Sequence, residues 1–506
     1  MDRLPNEILA KIISYLVGNI SPSILSGPLP DWYPTKLAQY SIVSRRWQAS
    51  VERAIWDQIT LNCSNSHSIK DLVRLTSGSV ERHARVGYIR RILFRPDTSC
   101  QWPEVDALSD TSSTDENELQ AKVLPRKHAR QCLRELKELF KLLHFWRSQN
   151  YHISLSIWAP DGEFLDIREN EDLSNHFIAS LNTQQLLQYG QIPHWVAFDH
   201  GDVGNLPTLP SIKRLKIEDI DHSTFRPSAM CHLVSLLPEV KQLSLGENGS
   251  VQGAALEGLR ELRQELIEHL HLIPQSVEKF SYELEAYREL SLNPSCNAAN
   301  YLSPDGLDEL SIGLRNLSMR LHKLDLLFLR VNSSLFWPSP EEDIHTSTLH
   351  WPYLEDVRVR FVPPYTADGQ WIVDNDPEKD WDGDPPATED YWEYDTDYFA
   401  MRGLVKSNEL DRIYSAMGHA AHRMPRLRRM EFSFRWEIGE AGANEYLKFT
   451  RSLTGQVSLC LSSQWEYNPG SDMMTAWGLN DDQAVELKNT GSIIIHQWPD
   501  GGMAED

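Results

Sequence analysis

From residue 88 onward the chain repeats one pattern, apolar-x-x-apolar-x-apolar. It occurs at Ile89/Ile92/Phe94, Ile212/Leu215/Ile217, Val240/Leu243/Leu245, Val277/Phe280/Tyr282, Leu321/Leu324/Leu326, Leu354/Val357/Val359 and Leu427/Met430/Phe432. The second and third apolar positions lie two residues apart, the period of a strand with one buried face. Shorter strand candidates lie at Ile153/Leu155/Ile157, Val457/Leu459/Leu461 and Ile493/Ile494/Ile495. Helical spacing predicts helices over 127–146, 256–272, 303–317, 404–422 and 444–453, with Ser303 as a cap for the third. No single strand-helix unit can bury its own apolar face, so alternating units predict a stack that shares one parallel sheet. The middle copies are 28 to 44 residues apart and two gaps are much longer, which makes the array irregular.

The first sixty residues follow a different pattern. Pro5 suits a first helical position and Glu7 favours the positive end of the helix dipole. Leu4, Ile8, Leu9, Ile12, Ile13, Tyr15, Leu16 and Val17 then spread over roughly 200° of a helix circumference, more than a small helical core needs. A second apolar block runs from Leu37 to Trp56. In it Ser44 can cap a helix whose inner face is Trp47, Val51, Ala54 and Ile55. Three short helices with apolar surface to spare predict a docking module that a partner or the rest of the chain completes.

The run Leu4-Pro5-x-Glu7-Ile8-Leu9-x-x-Ile12, followed by Leu37, Tyr40, Val43-Ser44-Arg45-x-Trp47 and the closing Val51 to Trp56, resembles an F-box. The resemblance implies docking onto the adaptor of an SCF-type (cullin-RING) ubiquitin ligase and its cullin scaffold. It assigns Leu4, Pro5, Ile8, Leu9, Val43, Ser44 and Trp47 to the adaptor contact. The link at 18–35, with four prolines, is longer than the family's usual one, and the resemblance covers about an eighth of the chain. The layout is similar to that of fungal F-box proteins whose C-terminal regions are divergent leucine-rich-repeat-like arrays. The fold class expected is therefore α/β: a three-helix F-box at 1–60, then an irregular leucine-rich-repeat-like α/β solenoid at 61–500.

Composition narrows the partners. A formal charge of −23 argues against nucleic acid and anionic membranes, which need clustered Lys and Arg. Six scattered cysteines without a C-x-x-C fit thiols of a reducing compartment, so a cytoplasmic or nuclear site is expected, with no secretion signal. Two stretches interrupt the array. Residues 97–118 are polar and lack periodicity, as a solvated loop does. Residues 365–400 carry twelve Asp and Glu against Lys379 alone, together with aromatics such as Trp371, Trp381, Tyr391 and Trp392, and are expected to be an excursion from the array.

Catalytic motifs are not found: there is no G-x-G-x-x-G, P-loop, H-E-x-x-H or G-x-S-x-G. Glu378-x-Asp380-x-Asp382-Gly383 approaches a calcium loop, but Pro385 and Pro386 occupy positions where such a loop needs its backbone. His419 and His422, one turn apart, lack Cys or acidic partners nearby in sequence, so no metal or other cofactor is expected. Lys and Arg recur beside the strand positions. Of these, Lys216, Arg358, Arg360, Arg429 and Arg435 are the candidate substrate contacts, on a basic strip for an acidic or phosphorylated protein. The reading is a non-enzymatic substrate receptor of a ubiquitin ligase. Its rival is an interaction scaffold of the same fold outside any ligase.

Overall fold

The computed structural model describes residues 45–63, 68–96, 114–146, 152–158, 194–196, 200–218, 223–248, 256–285, 300–340, 342, 348–363, 365–370, 372–375, 402–434, 446–462, 467–496 and 498. The first expected helix, the adaptor-contact candidates from Leu4 to Ser44, the calcium-like loop at 378–389 and Arg435 lie outside the described residues. Trp47 lies within them.

Among the described residues the architecture is α/β, built on one sheet of twelve strands that follow one another in chain order. They are β1 (Gln58–Asn62), β2 (Arg91–Arg95), β3 (Ile153–Trp158), β4 (Ile212–Glu218), β5 (Gln242–Asn248), β6 (Lys279–Glu285), β7 (Lys323–Leu327), β8 (Asp356–Val362), β9 (Arg429–Phe434), β10 (Tyr446–Arg451), β11 (Val457–Ser462) and β12 (Ser492–Ile495). β1 through β9 pair in parallel and β9 through β12 antiparallel. Helices fill most of the parallel crossovers: α2 (Ser68–Thr76) and α3 (Val80–Val86), α4 (Thr114–Phe145), α5 (Pro227–Ser235), α6 (Leu256–His269), α7 (Glu309–Ser318) and α8 (Ser407–Ala421). They are preceded by α1 (Arg45–Asp57), and α9 (Ser471–Trp477) and α10 (Asp481–Thr490) follow β11.

The repeated pattern has a mechanical meaning. Its first apolar residue sits in a tight turn before the strand, where Ile89, Ile212, Val240, Val277, Leu321 and Leu427 each donate their N–H to the carbonyl three residues earlier. All six are buried, and so are the pairs that follow, such as Leu243/Leu245, Phe280/Tyr282 and Leu324/Leu326. Between turn and strand, one backbone bond stitches each unit to the one before it: Glu278 N–H to Lys241 O, His322 to Glu278, Glu355 to His322 and Arg428 to Glu355. These bonds set the register, and the register puts every inward pair level with its neighbours.

Local sequence misjudged four places. Residues 444–453 form the antiparallel strand β10 and not a helix, because Leu447 and Phe449 are buried two apart against Leu461 and Leu459 of β11. Ser303 caps no helix. Its Oγ accepts the Leu307 N–H (3.2 Å) within a turn, and α7 starts six residues later behind the N-cap Asp308. The end of the expected loop at 97–118 already belongs to α4, which begins at Thr114. The excursion at 365–400 starts later than its composition suggested. Tyr365, Ala367 and Ile372 are buried, Tyr301 donates to the Ala367 carbonyl (2.8 Å), and Val373–Asn375 pairs antiparallel with Arg402–Val405.

The end of the array is closed by a close approach of α8 and α9. A β-carbon on Gly418 would lie 2.8 Å from the Ala476 carbonyl carbon and oxygen, and the adjacent Trp477 donates from Nε1 to the Tyr414 carbonyl (2.9 Å). Gly418→Ala must therefore push backbone away from backbone. Overpacking of this kind costs about 1–3 kcal/mol, expected as a lower urea midpoint for the full chain. An unchanged midpoint would show that the two helices are not held in this contact.

Candidate binding face

Alternation along each strand sends one set of side chains into the core and the other outward. Register lines up the outward set into rows that cross the sheet. One row runs Arg91, Ser154, Arg214, Gln242, Lys279, Lys323, Asp356, Arg429. The next runs Leu93, Ser156, Lys216, Ser244, Ser281, Asp325, Arg358, Glu431. Among the candidate contacts, Lys216, Arg358, Arg360 and Arg429 do share this face. Three other basic residues beside the strands, Lys213 at the start of β4 and Lys241 and Arg428 in the turns before β5 and β9, pair with Glu239, Glu278 (2.6 Å) and Glu355 (3.8 Å).

Cations outnumber carboxylates along the first row, but over β7–β9 the face carries both signs. Arg358 grips Asp356 with two bonds, at 2.9 and 2.7 Å, and that contact raises its affinity for its proton. Arg360 bonds Asp325 at 2.9 Å, Lys323 lies 3.0 Å from Asp325 and 3.9 Å from Asp356, Arg429 pairs with Glu431, and Lys216 pairs with Glu218. Over β7–β9, four cations therefore meet three carboxylates. The carboxylates occupy the same alternating positions as the cations, so counting both signs at outward positions would have revealed the compensation. Reading Lys and Arg alone hid it. Exposed pairs of this kind contribute little to stability, about 0–1 kcal/mol each, but they leave little net charge for a ligand.

The rim of the face holds a feature no local rule predicts. Phe328 and Phe361, at the C-terminal ends of β7 and β8, have φ of 54° and 56° and are the only non-glycine residues with positive φ among those described. Their rings stack with centroids 5.3 Å apart and planes 22° from parallel. Each N–H is held by the next strand, Phe328 to Arg360 O (2.9 Å) and Phe361 to Ser433 Oγ (3.3 Å), and a bulge separates Val359 from Val362. Left-handed backbone at a bulky residue costs about 1–3 kcal/mol each. Both rings are half-buried, as is the neighbouring Leu327, which is paired in register with Arg360. Phenylalanine is an ordinary strand former, so the sequence carries no signal of this conformation.

The helical side of the sheet offers acidic and basic groups that pair with one another. An open cleft of about 740 Å³ is lined by Arg226, Arg260, Arg263, Glu261, Glu265 and Tyr301 among others. Its cations are engaged: Arg226 with Glu265, Arg263 with Asp308 (2.5 Å), and Arg260 with the Asn300 carbonyl (2.7 Å). Among the described residues no group of three or more His, Cys, Asp or Glu could hold a metal ion, and no helix is long and apolar enough to cross a membrane. His419 and His422 are engaged instead by Trp337 and Trp498, and burial lowers the pKa of both. At the helical entrance to α1, Trp47 and Val51 are buried with Ala54 and Ile55 packed against them, a small cluster separate from the main core.

Glu247 at the end of β5 points inward beneath α5, and burial pushes its carboxyl from the ordinary 4.5 up to about 7 despite a bond from the Tyr282 hydroxyl. The charges of Glu265 and Arg226 act on it in opposite directions. The native state thus keeps a proton that the unfolded chain releases. Its contribution to stability is complete below about pH 4.5 and is lost as pH rises through about 7. Glu247→Gln cannot ionise and still offers Tyr282 an acceptor. Urea unfolding at pH 8 should show the variant ahead of the parent by up to about 3 kcal/mol, with the gap shrinking at pH 5. A gap that is the same at both pH values would show that Glu247 does not titrate in this window.

No protein-family model matches the chain, and no curated protein matches it in sequence.

Proposed function

We propose that the chain is the substrate-recognition subunit of an SCF-type (cullin-RING) ubiquitin ligase. Residues 1–60 act as an F-box on the adaptor, and residues 61–500 act as a divergent leucine-rich-repeat-like solenoid that offers its strand face to a protein substrate. The observation that carries this reading is the junction at residues 43–62. The F-box-like run Val43-Ser44-Arg45-x-Trp47 leads into α1, which has its own small core of Trp47 and Val51 and passes directly into β1. Because α1 runs straight into β1, a partner gripping α1 would be held close to the first strand of the sheet.

The chain supplies no acid, base or nucleophile in this role. Its contribution is proximity, which holds a substrate lysine near a ubiquitin-charged enzyme. The thiols Cys63, Cys132, Cys231 and Cys460 are unbridged, which suits the cytoplasm or nucleus where such ligases work.

The test is direct binding of the purified full chain to the SCF adaptor, compared with the double variant Pro5→Ala, Leu9→Ala. Truncating two contact residues should weaken binding by roughly thirtyfold or more, while the main thermal transition stays in place. Adaptor binding at undiminished affinity in the double variant, or none with the parent chain, would favour a scaffold outside the ligase.

A further inference from the structure

Six glycines among the described residues, Gly78, Gly306, Gly369, Gly455, Gly478 and Gly491, have positive φ, as glycine does at little cost. The chain therefore uses glycine where its turns need a left-handed residue. At the ends of β7 and β8 it places Phe328 and Phe361 in that conformation instead, on adjacent strands and ring against ring. Glycine would make the same turns without strain, and half-buried rings return only part of the burial energy that a core phenylalanine does.

Their surroundings say what kind of ligand fits. The stacked, half-buried rings lie at the C-terminal ends of β7 and β8, next in sequence or register to the half-buried Leu327 and to Arg360. The charges beside them are already joined to one another, Arg360 to Asp325 and Arg358 to Asp356. Apolar side chains beside satisfied polar groups are what interface hot spots use, where the polar groups exclude water and the apolar ones supply the affinity. Charge complementarity then favours an uncharged partner, because an acidic one would have to break these pairs to gain any attraction.

We propose that Phe328, Phe361 and Leu327 form the anchor point for a partner protein, which inserts an aromatic side chain from an uncharged segment against the stacked rings. The strained backbone holds the rings in place before binding, so little order has to be created on contact. That the partner is a ligase substrate rests on the proposed function. The anchor itself does not.

The experiment selects a phage-displayed library of random peptides, about twelve residues long, on the immobilised full chain. Selected peptides are then synthesised and measured against the parent and against Phe328→Gly, Phe361→Gly. Parent-selected peptides should be rich in Trp, Tyr or Phe and poor in Asp and Glu. Their affinity should fall at least about tenfold on the double variant, and should change by less than about threefold between low and high salt, since no ion pairs form. The variant's thermal midpoint should be unchanged or higher, because glycine relieves the strain. Phe328→Asn, Phe361→Asn, which also tolerates positive φ, serves as a second variant and should lose the peptides equally. Acidic peptides with steep salt dependence, peptides that bind the variants as well as the parent, no selected peptide at all, or a sharply lowered midpoint in both variants would each overturn the proposal. Peptide binding by Pro5→Ala, Leu9→Ala should match the parent, so loss of adaptor binding and loss of the anchor are separate results.

Discussion

Each strand of the sheet carries a pair of inward apolar side chains that its own segment cannot cover, and only the adjoining units cover them. Leu243 and Leu245 are level with Leu215 and Ile217 on one side and with Phe280 and Tyr282 on the other. Burying such a side chain is worth about 1.5–3 kcal/mol, so no unit is stable alone and each added neighbour contributes. The stitching bonds from turn to turn fix the offset between units. A slip of one residue would turn every inward pair out into water. The position of any outward residue, and so of any binding group, follows from that register.

An array of this kind has two ends, and each end is treated differently. Before β1 stands α1, with its own cluster of Trp47 and Val51. After β9 the chain returns as antiparallel strands, with a short turn between β10 and β11 and the helices α9 and α10 between β11 and β12. The last inner faces are then covered by α9, through Trp477 against Phe449 (5.8 Å between centroids), and by the buried Leu487 of α10, while Trp498 beyond β12 stacks on His422 (4.3 Å). Buried polar groups do the same work inside the array. Arg315 clasps Glu342 at 2.5 Å and bonds the Ser334 carbonyl at 2.9 Å, and Arg330 lies 3.8 Å over the Tyr301 ring. These ties hold the irregular segments between β7 and β8 and the base of the acidic excursion against the sheet.

The two faces of the sheet divide the chemistry. The helical side buries its charges in pairs and, by burial, raises the Glu247 carboxyl to about 7. The strand side leaves its rows open but compensates them along β7–β9, so its distinctive feature there is shape and apolar surface more than potential.

Much of the fold was written in the chain. All seven copies of the apolar pattern, and the three shorter strand candidates, are strands of the one sheet, because a two-residue period with a buried face is decided locally. The helix expected after Ser44 is α1, with the inner residues its spacing named. Short apolar runs were not decided locally: Leu447 and Phe449 satisfy a helix or a strand equally until β11 lies beside them. Helix starts depended on contacts too, for Asp308 caps α7 while held by Arg263 from α6. The basic residues on the strand face were legible as a row, and so were the carboxylates two residues away on the same strand, Asp356 for Arg358 and Glu431 for Arg429, whereas the diagonal pairing of Arg360 with Asp325 depends on the neighbouring strand. The positive φ of Phe328 and Phe361 was invisible in sequence, because it is imposed by bonds from the next strand against the local preference of the residue. Local patterning determined which residues face inward. Register, which only the stacked sheet creates, decided what the outward ones meet.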